Sequence, residues 1–281
     1  MASAAAVTRV AFRNILFATD LSYLSDAAVP YVMETARLYG SQVYAVHVRH
    51  RGGAWGRPEE NAVAFLQERL KDIPHEVLIR EGDIKPCLLG VMDEKQIDLT
   101  VVSTHGRTGL GRVLLGSVAE GIFREAMCPV LTIGPHLVRD PHGALKIKEI
   151  LYATDMTPIS DGAAKYAVSL AQENQARLTI LHVQAAATTR EMVESEHNAS
   201  VTLRRLQEIV PPDAKLWCEA YCLVEQGEPA EKILDVAARY RTDLIVLGIR
   251  PHGIGMATHV SRPTAHRVVV GAPCPVLTAR R

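Results

Sequence analysis

The chain's first apolar run reads NILFATD at residues 14–20, and residues 149–155 repeat it as EILYATD. Three further pairs of segments match in the same order along the chain: QVYAVHV at 42–48 with RLTILHV at 177–183, IDLTVV at 97–102 with TDLIVL at 242–247, and CPVLT at 128–132 with CPVLT at 274–278. The offset between the copies grows from 155 − 20 = 135 residues to 243 − 98 = 145 and 274 − 128 = 146. Duplication followed by insertion keeps the order of segments while the offset grows, so two homologous domains are predicted.

Composition indicates where one domain ends and the next begins. Residues 134–143, GPHLVRDPHG, contain two prolines and two glycines and no apolar periodicity, which is typical of a connection. A chain of 281 residues also suits two domains of about 100 to 150 residues each. We therefore predict a first domain at residues 1–141 and a second at residues 142–281.

Short β-branched segments alternate with helical segments in both copies. In the first copy, strands are predicted near residues 14–19, 42–48, 75–80, 98–103 and 129–133, and helices near 24–39, 58–72, 84–96 and 117–126. Runs such as Leu99–Val102 and Leu244–Leu247 are apolar without alternation, as in strands that helices cover on both faces. This predicts an α/β fold of two repeated, doubly wound domains, each with a five-stranded parallel sheet. Such sheets bind ligands at the carboxyl ends of their strands, where the strand order reverses.

Charge and composition argue against several classes of partner. Lys plus Arg and Asp plus Glu both number 31, so no overall field attracts nucleic acid or an acidic membrane surface. No apolar run approaches the roughly 18 residues that span a bilayer, and residues 1–9 lack the basic start of a secretion signal. Five scattered cysteines do not form the pattern of a disulfide framework. We expect a cytoplasmic protein without nucleic-acid or membrane partners.

The strongest candidate for a binding site follows the fourth predicted strand, in STHGRTGLGRVLLGS at residues 103–117. Three glycines free the main chain to turn its N–H groups toward a ligand: Gly106, Gly109 and Gly111. Ser117 stands at the predicted N-cap of the next helix, and Glu120 completes a capping box. A phosphate would fit between the loop and the helix N-terminus. The alternative is that these residues only end a strand and begin a helix.

Two better-known phosphate motifs do not fit this loop. Gly111, four residues and then Gly116 and Ser117 look like a P-loop without its lysine, and that lysine carries much of the phosphate interaction. The dinucleotide fingerprint needs two residues between its second and third glycines, which this loop does not have. Arg107 and Arg112 are interpreted either as phosphate clamps or, more simply, as solvated surface residues.

The repeat and the loop together resemble the universal stress protein family, over nearly the whole chain and in both copies. The family's nucleotide motif is glycine, two residues, glycine, nine residues, glycine and then serine or threonine, between the fourth strand and the fourth helix. Gly106, Gly116 and Ser117 fit this motif, whereas Ser103 stands in place of the leading glycine. The resemblance implies a Rossmann-like, adenine-nucleotide alpha-hydrolase-like fold that binds ATP, ADP or AMP, with or without Mg²⁺.

The resemblance also implies which residues form the site. It assigns Asp20, at the end of the first strand, to the adenine and ribose side, and Val48, at the end of the second, to the adenine wall. The alternative for Asp20 is a cap for the helix that starts near Ser22, and both roles can coexist. No catalytic or metal-binding residue is assigned. The candidate binding residues are Ala18, Asp20, Val48, Ser103, Thr104, Gly106, Arg107, Gly109, Gly116, Ser117 and Val118.

The second copy keeps Asp155 and Val183 but lacks the glycine loop. At the offset of 146 residues, Gly116–Ser117 corresponds to Arg262–Pro263, and a proline offers no N–H group to a phosphate. We expect weak ATP binding or none in this domain.

Two groupings in the second copy could be imagined to hold a metal ion: His252, His259 and His266, spaced by seven, and Cys218 and Cys222, spaced by four. The histidines have no carboxylate or thiolate neighbours, and two cysteines four residues apart on a strand share one face as core thiols also would, so a metal site is not the favoured interpretation. His47 and His182, which end strands, are predicted to be hydrogen-bonded core residues rather than catalysts.

Three functions remain open from the sequence. The first is a non-enzymatic, ATP-dependent regulator of the stress response, built as an internal pseudo-dimer and able to form a homodimer. The second is a slow ATPase or nucleotidyl transferase, although the loop has no lysine and no nucleophile stands beside a base. The third is a scaffold with a vestigial site, whose two CPVLT segments pair as edge strands.

Overall fold

The computed structural model of the protein describes residues 9–49, 59–104, 116–134, 146–185, 192–212, 220–249 and 264–280. These residues fall into two compact units. The first contains described residues from 11 to 134, and the second contains residues 9–10 and the described residues from 146 onward. The predicted boundary near residue 141 lies outside the described residues and stays a prediction.

The first domain is built on a parallel sheet. Its described strands are β1 Asn14–Ala18, β2 Gln42–Arg49, β3 His75–Glu81, β4 Leu99–Ser103 and β5 Val130–Ile133. Its described helices are α1 Tyr23–Asp26, α2 Val29–Tyr39, α3 Glu59–Leu70, α4 Ile84–Glu94 and α5 Ser117–Glu125. The strands lie in the order β3-β2-β1-β4-β5, and every neighbouring pair is parallel. Since β2 and β4 flank β1 on opposite sides, the strand order reverses between β1 and β4, as predicted for a doubly wound sheet.

The second domain repeats this arrangement. Its described strands are β6 Glu149–Ala153, β7 Arg177–Gln184, β8 Ala220–Gln226, β9 Leu244–Gly248 and β10 Val276–Ala279. Its described helices are α6 Pro158–Asn174, α7 Met192–Ile209, α8 Pro229–Arg239 and α9 Thr264–Gly271. The strands lie in the order β10-β9-β6-β7-β8, again with parallel neighbours. The prediction of two repeated α/β domains is confirmed.

The central strand of each domain is buried on both faces. Ile15, Leu16 and Phe17 of β1 follow one another in the chain, and each is at most 1% exposed. Successive side chains of a strand point to opposite faces, so consecutive buried residues require cover on both sides of the sheet. Burial of each such side chain contributes about 1.5 to 3 kcal/mol. Apolar packing therefore holds the strand ends in fixed positions.

The helix predicted at residues 24–39 is two helices. Helix α1 ends at Asp26, and α2 begins at Val29 with Pro30 in its first turn. Pro30 has no N–H to donate to the Asp26 carbonyl, and its ring would clash with that group in a continuous helix. The chain instead closes a tighter turn, in which the Ala28 N–H donates to the Ser25 carbonyl at 3.0 Å.

A hydrogen-bond clamp at the amino ends of the strands explains why both copies carry an aspartate before their fourth strand. Asp98 Oδ2 accepts the main-chain N–H groups of Arg13 at 2.9 Å and Asn14 at 3.0 Å, which fixes β1 beside β4. In the second domain, Asp243 Oδ2 accepts the N–H groups of Lys148 at 2.8 Å and Glu149 at 2.9 Å. Both aspartates therefore stabilise the sheet at the edge opposite to the carboxyl ends of the strands.

Asp98→Ala is expected to lower the free energy of unfolding of the first domain by about 1.5 kcal/mol, because two charge-assisted hydrogen bonds are lost. Urea denaturation measures this change. Asp93→Ala, at an exposed position in α4, is the control. Its free energy of unfolding should lie within about 0.5 kcal/mol of the wild-type value. A loss for Asp98→Ala no larger than that of the control would contradict the clamp.

Candidate functional site

A cavity of about 310 Å³ lies at the carboxyl edge of the first sheet, at the reversal between β1 and β4. The ends of β1, β2 and β4 form its floor, and the beginnings of α4 and α5 form its sides. Its described lining residues are Ala18, Thr19, Asp20, Val46, Val48, Ile84, Leu88, Val102, Ser103, Thr104, Gly116, Ser117, Val118 and Ala119.

The cavity brings together the predicted site residues that the structure describes. Eight of the eleven line it: Ala18, Asp20, Val48, Ser103, Thr104, Gly116, Ser117 and Val118. The other three, Gly106, Arg107 and Gly109, lie outside the described residues. The assignment of all eleven residues to a nucleotide-binding site stays a prediction.

Six lining residues were not among the sequence predictions: Thr19, Val46, Ile84, Leu88, Val102 and Ala119. A sequence signal existed for three of them. Val46 lies two residues before Val48 on β2, so both side chains point to the same face of the sheet. Ile84 and Leu88 are four residues apart at the start of α4, which places them on one side of that helix.

The lining of the cavity includes both aliphatic and polar residues, called here its apolar side and its polar side. Five aliphatic residues form the apolar side: Val46, Val48, Ile84, Leu88 and Val102. The polar side combines Asp20, Ser103, Thr104 and Ser117 with the start of α5. This arrangement suits a ligand with a flat apolar part and a hydroxylated or anionic part.

The polar side begins with a tight turn after β1. Thr19 Oγ1 accepts the Leu21 N–H at 3.0 Å, and Asp20 Oδ1 accepts the Ser22 N–H at 2.9 Å. Leu21 adopts a left-handed φ of 61°, a conformation that costs a non-glycine residue about 1 kcal/mol. Asp20 therefore stabilises the turn ahead of α1, whereas the helix cap that was the alternative considered for it is provided by Ser22, whose Oγ accepts the Ser25 N–H at 3.2 Å. Since a carboxylate can accept about four hydrogen bonds, this role is compatible with ligand binding.

His47 secures the same turn from β2. Its Nδ1 atom lies 2.9 Å from the Thr19 carbonyl oxygen, and because a carbonyl only accepts, Nδ1 carries the proton. His182 makes the equivalent bond to the Thr154 carbonyl at 2.9 Å. His47 is buried and His182 is half-buried. The predicted hydrogen bonds of both histidines are confirmed, whereas a core position is confirmed for His47 alone.

The predicted capping box at Ser117 is wrong. The N-cap of α5 is Gly116, with extended φ and ψ of −60° and 147°, and Ser117 is the first helical residue. Glu120 does not reach back to the cap, because its carboxylate pairs with Arg124 at 2.8 Å. Main-chain hydrogen bonds hold the start of α5 instead. The Gly116 N–H donates to the Thr104 carbonyl, and the Gly116 carbonyl accepts the Glu120 N–H, both at 2.8 Å.

This geometry directs the start of α5 at the cavity. The first N–H groups of a helix have no partner within the helix, and in α5 they belong to lining residues Ser117, Val118 and Ala119. Together with the positive end of the helix dipole, such groups favour an anion. Gly116 lets the start of α5 lie close to the end of β4, because a Cβ atom at this position would lie only 3.1 Å from the Thr104 carbonyl oxygen.

The second domain has a smaller cavity of about 180 Å³ in the equivalent place. Its described lining residues are Ala153, Thr154, Asp155, Ser160, Leu181, Val183, Pro229, Ile233, Leu247, Gly248, Thr264 and Ala265. The counterparts of Gly116 and Ser117, Arg262 and Pro263, lie outside the described residues. The expected weakness of ATP binding in this domain therefore stays a prediction.

A metal site was weighed on the sequence and is not found within the described part of the chain. No group of three or more His, Cys, Asp or Glu residues among the described residues is placed to hold a metal ion. His252, His259 and Cys218, which belong to the two groupings considered, lie outside those residues. Within the same part of the chain, no helix is both long and apolar enough to cross a membrane.

Comparison with known proteins gives consistent matches. The model of the universal stress protein family matches residues 11–134 and 146–280. A universal stress protein of Methanocaldococcus jannaschii is 31% identical over 139 residues, which are 43% of this chain and 82% of that protein. A universal stress protein of Mycobacterium tuberculosis is 26% identical over 207 residues, 70% of this chain and 65% of that protein. The crystal structure of a universal stress protein from Archaeoglobus fulgidus covers 96% of this chain and 98% of its own, with a TM-score of 0.75 and 20% identity, and so shares the fold.

Proposed function

The chain belongs to the universal stress protein family, and from this premise we propose that the cavity of its first domain binds an adenine nucleotide, namely ATP, ADP or AMP. The observation that carries the proposal is that three features line the same cavity. An apolar slot, a strand-end carboxylate and the N–H groups of a helix start surround the same cavity of about 310 Å³.

The base lies on the apolar side in this proposal. Val46 and Val48 project from β2, and Ile84 and Leu88 face them from α4. A flat aromatic ring gains about 25 cal/mol for each Å² of apolar surface that such a slot removes from water.

The ribose and the phosphates occupy the polar side. Asp20 stands at the end of β1 and accepts a ribose hydroxyl, while the first N–H groups of α5 bind the phosphates. None of the described lining residues is cationic, so main-chain dipoles and serine or threonine hydroxyls supply the attraction from this part of the chain. Asp20 is the single carboxylate of the described lining, which is too few ligands for a protein-held Mg²⁺. A Mg²⁺ ion would accompany the nucleotide on its phosphates.

We propose binding without turnover, in a regulator of the stress response whose nucleotide occupancy controls its association with partners. The described lining contains no lysine or histidine that could serve as a base or stabilise a leaving phosphate. The chemistry of these residues therefore favours retention of the nucleotide over its hydrolysis. Cytoplasmic location, the pseudo-dimer and association of two chains stay predictions.

Calorimetric titration with ATP, followed by a phosphate-release assay on the same sample, tests both parts of the proposal. We expect one ATP bound per chain, and phosphate release that is no faster in the wild type than in Asp20→Asn. Release that is well above the buffer background and is lost in Asp20→Asn would indicate a slow ATPase. The absence of any ATP binding would favour the scaffold hypothesis.

A further inference from the structure

A chain of hydrogen bonds between hydroxyl groups runs through the turn that carries Asp20. Thr19 Oγ1 accepts the Leu21 N–H at 3.0 Å and lies 2.9 Å from Ser25 Oγ. Ser25 Oγ in turn lies 2.9 Å from the Ser22 carbonyl oxygen. A hydroxyl has one proton and a carbonyl only accepts, so both bonds form in a single direction. Thr19 donates to Ser25, and Ser25 donates to Ser22.

Ser25 holds this turn without lining the cavity. It is 1% exposed and is not among the described residues that line the first cavity, whereas Thr19 lines it. Removal of the Ser25 hydroxyl would take away the acceptor of the Thr19 proton and the donor to the Ser22 carbonyl. A buried polar group that loses its partner destabilises the conformation in which it is buried.

The position of the Asp20 carboxylate depends on the residues that Ser25 joins. Asp20 Oδ1 accepts the Ser22 N–H at 2.9 Å, and Thr19 precedes Asp20 in the chain. Leu21, between Asp20 and Ser22, has a left-handed φ of 61°, which residues with a side chain rarely adopt. Such a conformation persists only where the surrounding structure holds it. Because Ser25 bonds on both sides of Asp20, it is placed to hold the turn and the carboxylate together.

The second domain contains the same chain of bonds. Thr154 Oγ1 accepts the Met156 N–H at 2.9 Å and lies 2.8 Å from Ser160 Oγ, which donates to the Thr157 carbonyl at 2.9 Å. Ser160 is the counterpart of Ser25 at the offset of 135 residues. Ser160→Ala therefore breaks the same two hydroxyl bonds as Ser25→Ala in the other domain, and it is the matched control.

We infer that Ser25 is a positioning residue for nucleotide binding, which acts through the turn to hold the Asp20 carboxylate in place for the ribose hydroxyls. The inference rests on the function proposed for the first domain. A group that is already fixed before the ligand arrives loses less conformational freedom on binding. The affinity for the nucleotide therefore depends on Ser25, although Ser25 lies outside the described lining of the cavity.

Calorimetric titration of the full chain with ATP tests the inference. Ser25→Ala should weaken binding about tenfold, because the carboxylate must be ordered when ATP binds. Ser160→Ala should bind ATP within about twofold of the wild type, and thermal unfolding verifies that each variant folds. Ser25→Thr keeps a hydroxyl that can bond the carbonyl three residues earlier, so its affinity should return to within about threefold of the wild type. Equal losses of affinity in Ser25→Ala and Ser160→Ala would overturn the inference.

A double variant shows whether Ser25 acts through Asp20, and it does not depend on threonine fitting the buried site. Once Asp20→Ala has removed the carboxylate, the turn has nothing left to position. Asp20→Ala combined with Ser25→Ala should therefore bind ATP within about twofold of Asp20→Ala alone. A further tenfold loss in the double variant would mean that Ser25 acts independently of Asp20, and the inference would be wrong.

Hydrogen exchange of the nucleotide-free protein adds a measurement that needs no ATP. The Leu21 and Ser22 amides should exchange at least about fivefold faster in Ser25→Ala than in the wild type, because the turn opens more often. Unchanged exchange at both amides would contradict the inference. A wild type that binds no ATP rejects the function proposed for the first domain, and with it the role of Ser25 in binding. ATP binding that is equal in the wild type and Ser25→Ala rejects the inference alone.

Discussion

Gly116→Val is expected to weaken ATP binding by about 100-fold, equivalent to about 2.8 kcal/mol. The valine Cβ would lie 3.1 Å from the Thr104 carbonyl oxygen, which is closer than ordinary contact between such atoms. The start of α5 must move away from β4, and the valine methyl groups then enter the space proposed for the phosphates. Two hydrogen bonds to a charged phosphate, at about 1.5 kcal/mol each, account for the expected loss.

The fold should survive this substitution, because the extended backbone of Gly116 is open to any residue. We expect a loss of stability of about 1 kcal/mol from the local overpacking. Gly90→Val is the matched control, since Gly90 is exposed in α4 and a Cβ there meets nothing within 4 Å. ATP affinity measured by calorimetry should be unchanged in Gly90→Val. Equal affinities for Gly116→Val and the wild type would exclude the start of α5 from the site.

Asp20→Ala is expected to weaken ATP binding by roughly 50-fold, or about 2.3 kcal/mol. The substitution removes the proposed acceptor of the ribose hydroxyls, a charged hydrogen bond worth about 1.5 to 3 kcal/mol. It also removes the bond from the Ser22 N–H, 2.9 Å in length, that shapes the turn. Calorimetric titration with ATP measures the change in affinity.

Asp20→Asn separates the two roles of this side chain. An asparagine keeps an oxygen that can accept the Ser22 N–H, so the stability lost in Asp20→Ala should be recovered, but the charge and half of the acceptor capacity are gone. We expect an affinity between those of the wild type and Asp20→Ala. An affinity for ATP that is fully restored in Asp20→Asn would mean that Asp20 acts only through the turn.

The sequence allowed the architecture and much of the cavity to be predicted because both depend on strand ends. Consecutive buried residues such as Ile15 and Leu16 mark a strand covered on both sides, and in a parallel sheet the residues that end such strands meet at one edge. The resemblance to the universal stress protein family assigned Asp20 and Val48 to one site, and both residues line the first cavity.

The predictions failed where two local signals compete. The apolar period runs through residues 24–39, yet the missing N–H and the ring of Pro30 divide the helix. Gly116 and Ser117 are both acceptable N-caps, and only the bond from the Gly116 N–H to the Thr104 carbonyl decides between them. The spacing of Ile84 and Leu88 places them on one side of a helix, but their position over the cavity depends on how α4 packs.

The nucleotide content of freshly purified protein tests the central claim most directly. The wild type and Gly116→Val are denatured, and any released nucleotide is identified by chromatography and quantified per chain. We expect about one adenine nucleotide per wild-type chain, because phosphate binding is proposed only for the first domain, and a large reduction in Gly116→Val. The absence of adenine nucleotide from both proteins, with no thermal stabilisation by added ATP, would contradict nucleotide binding by the first domain.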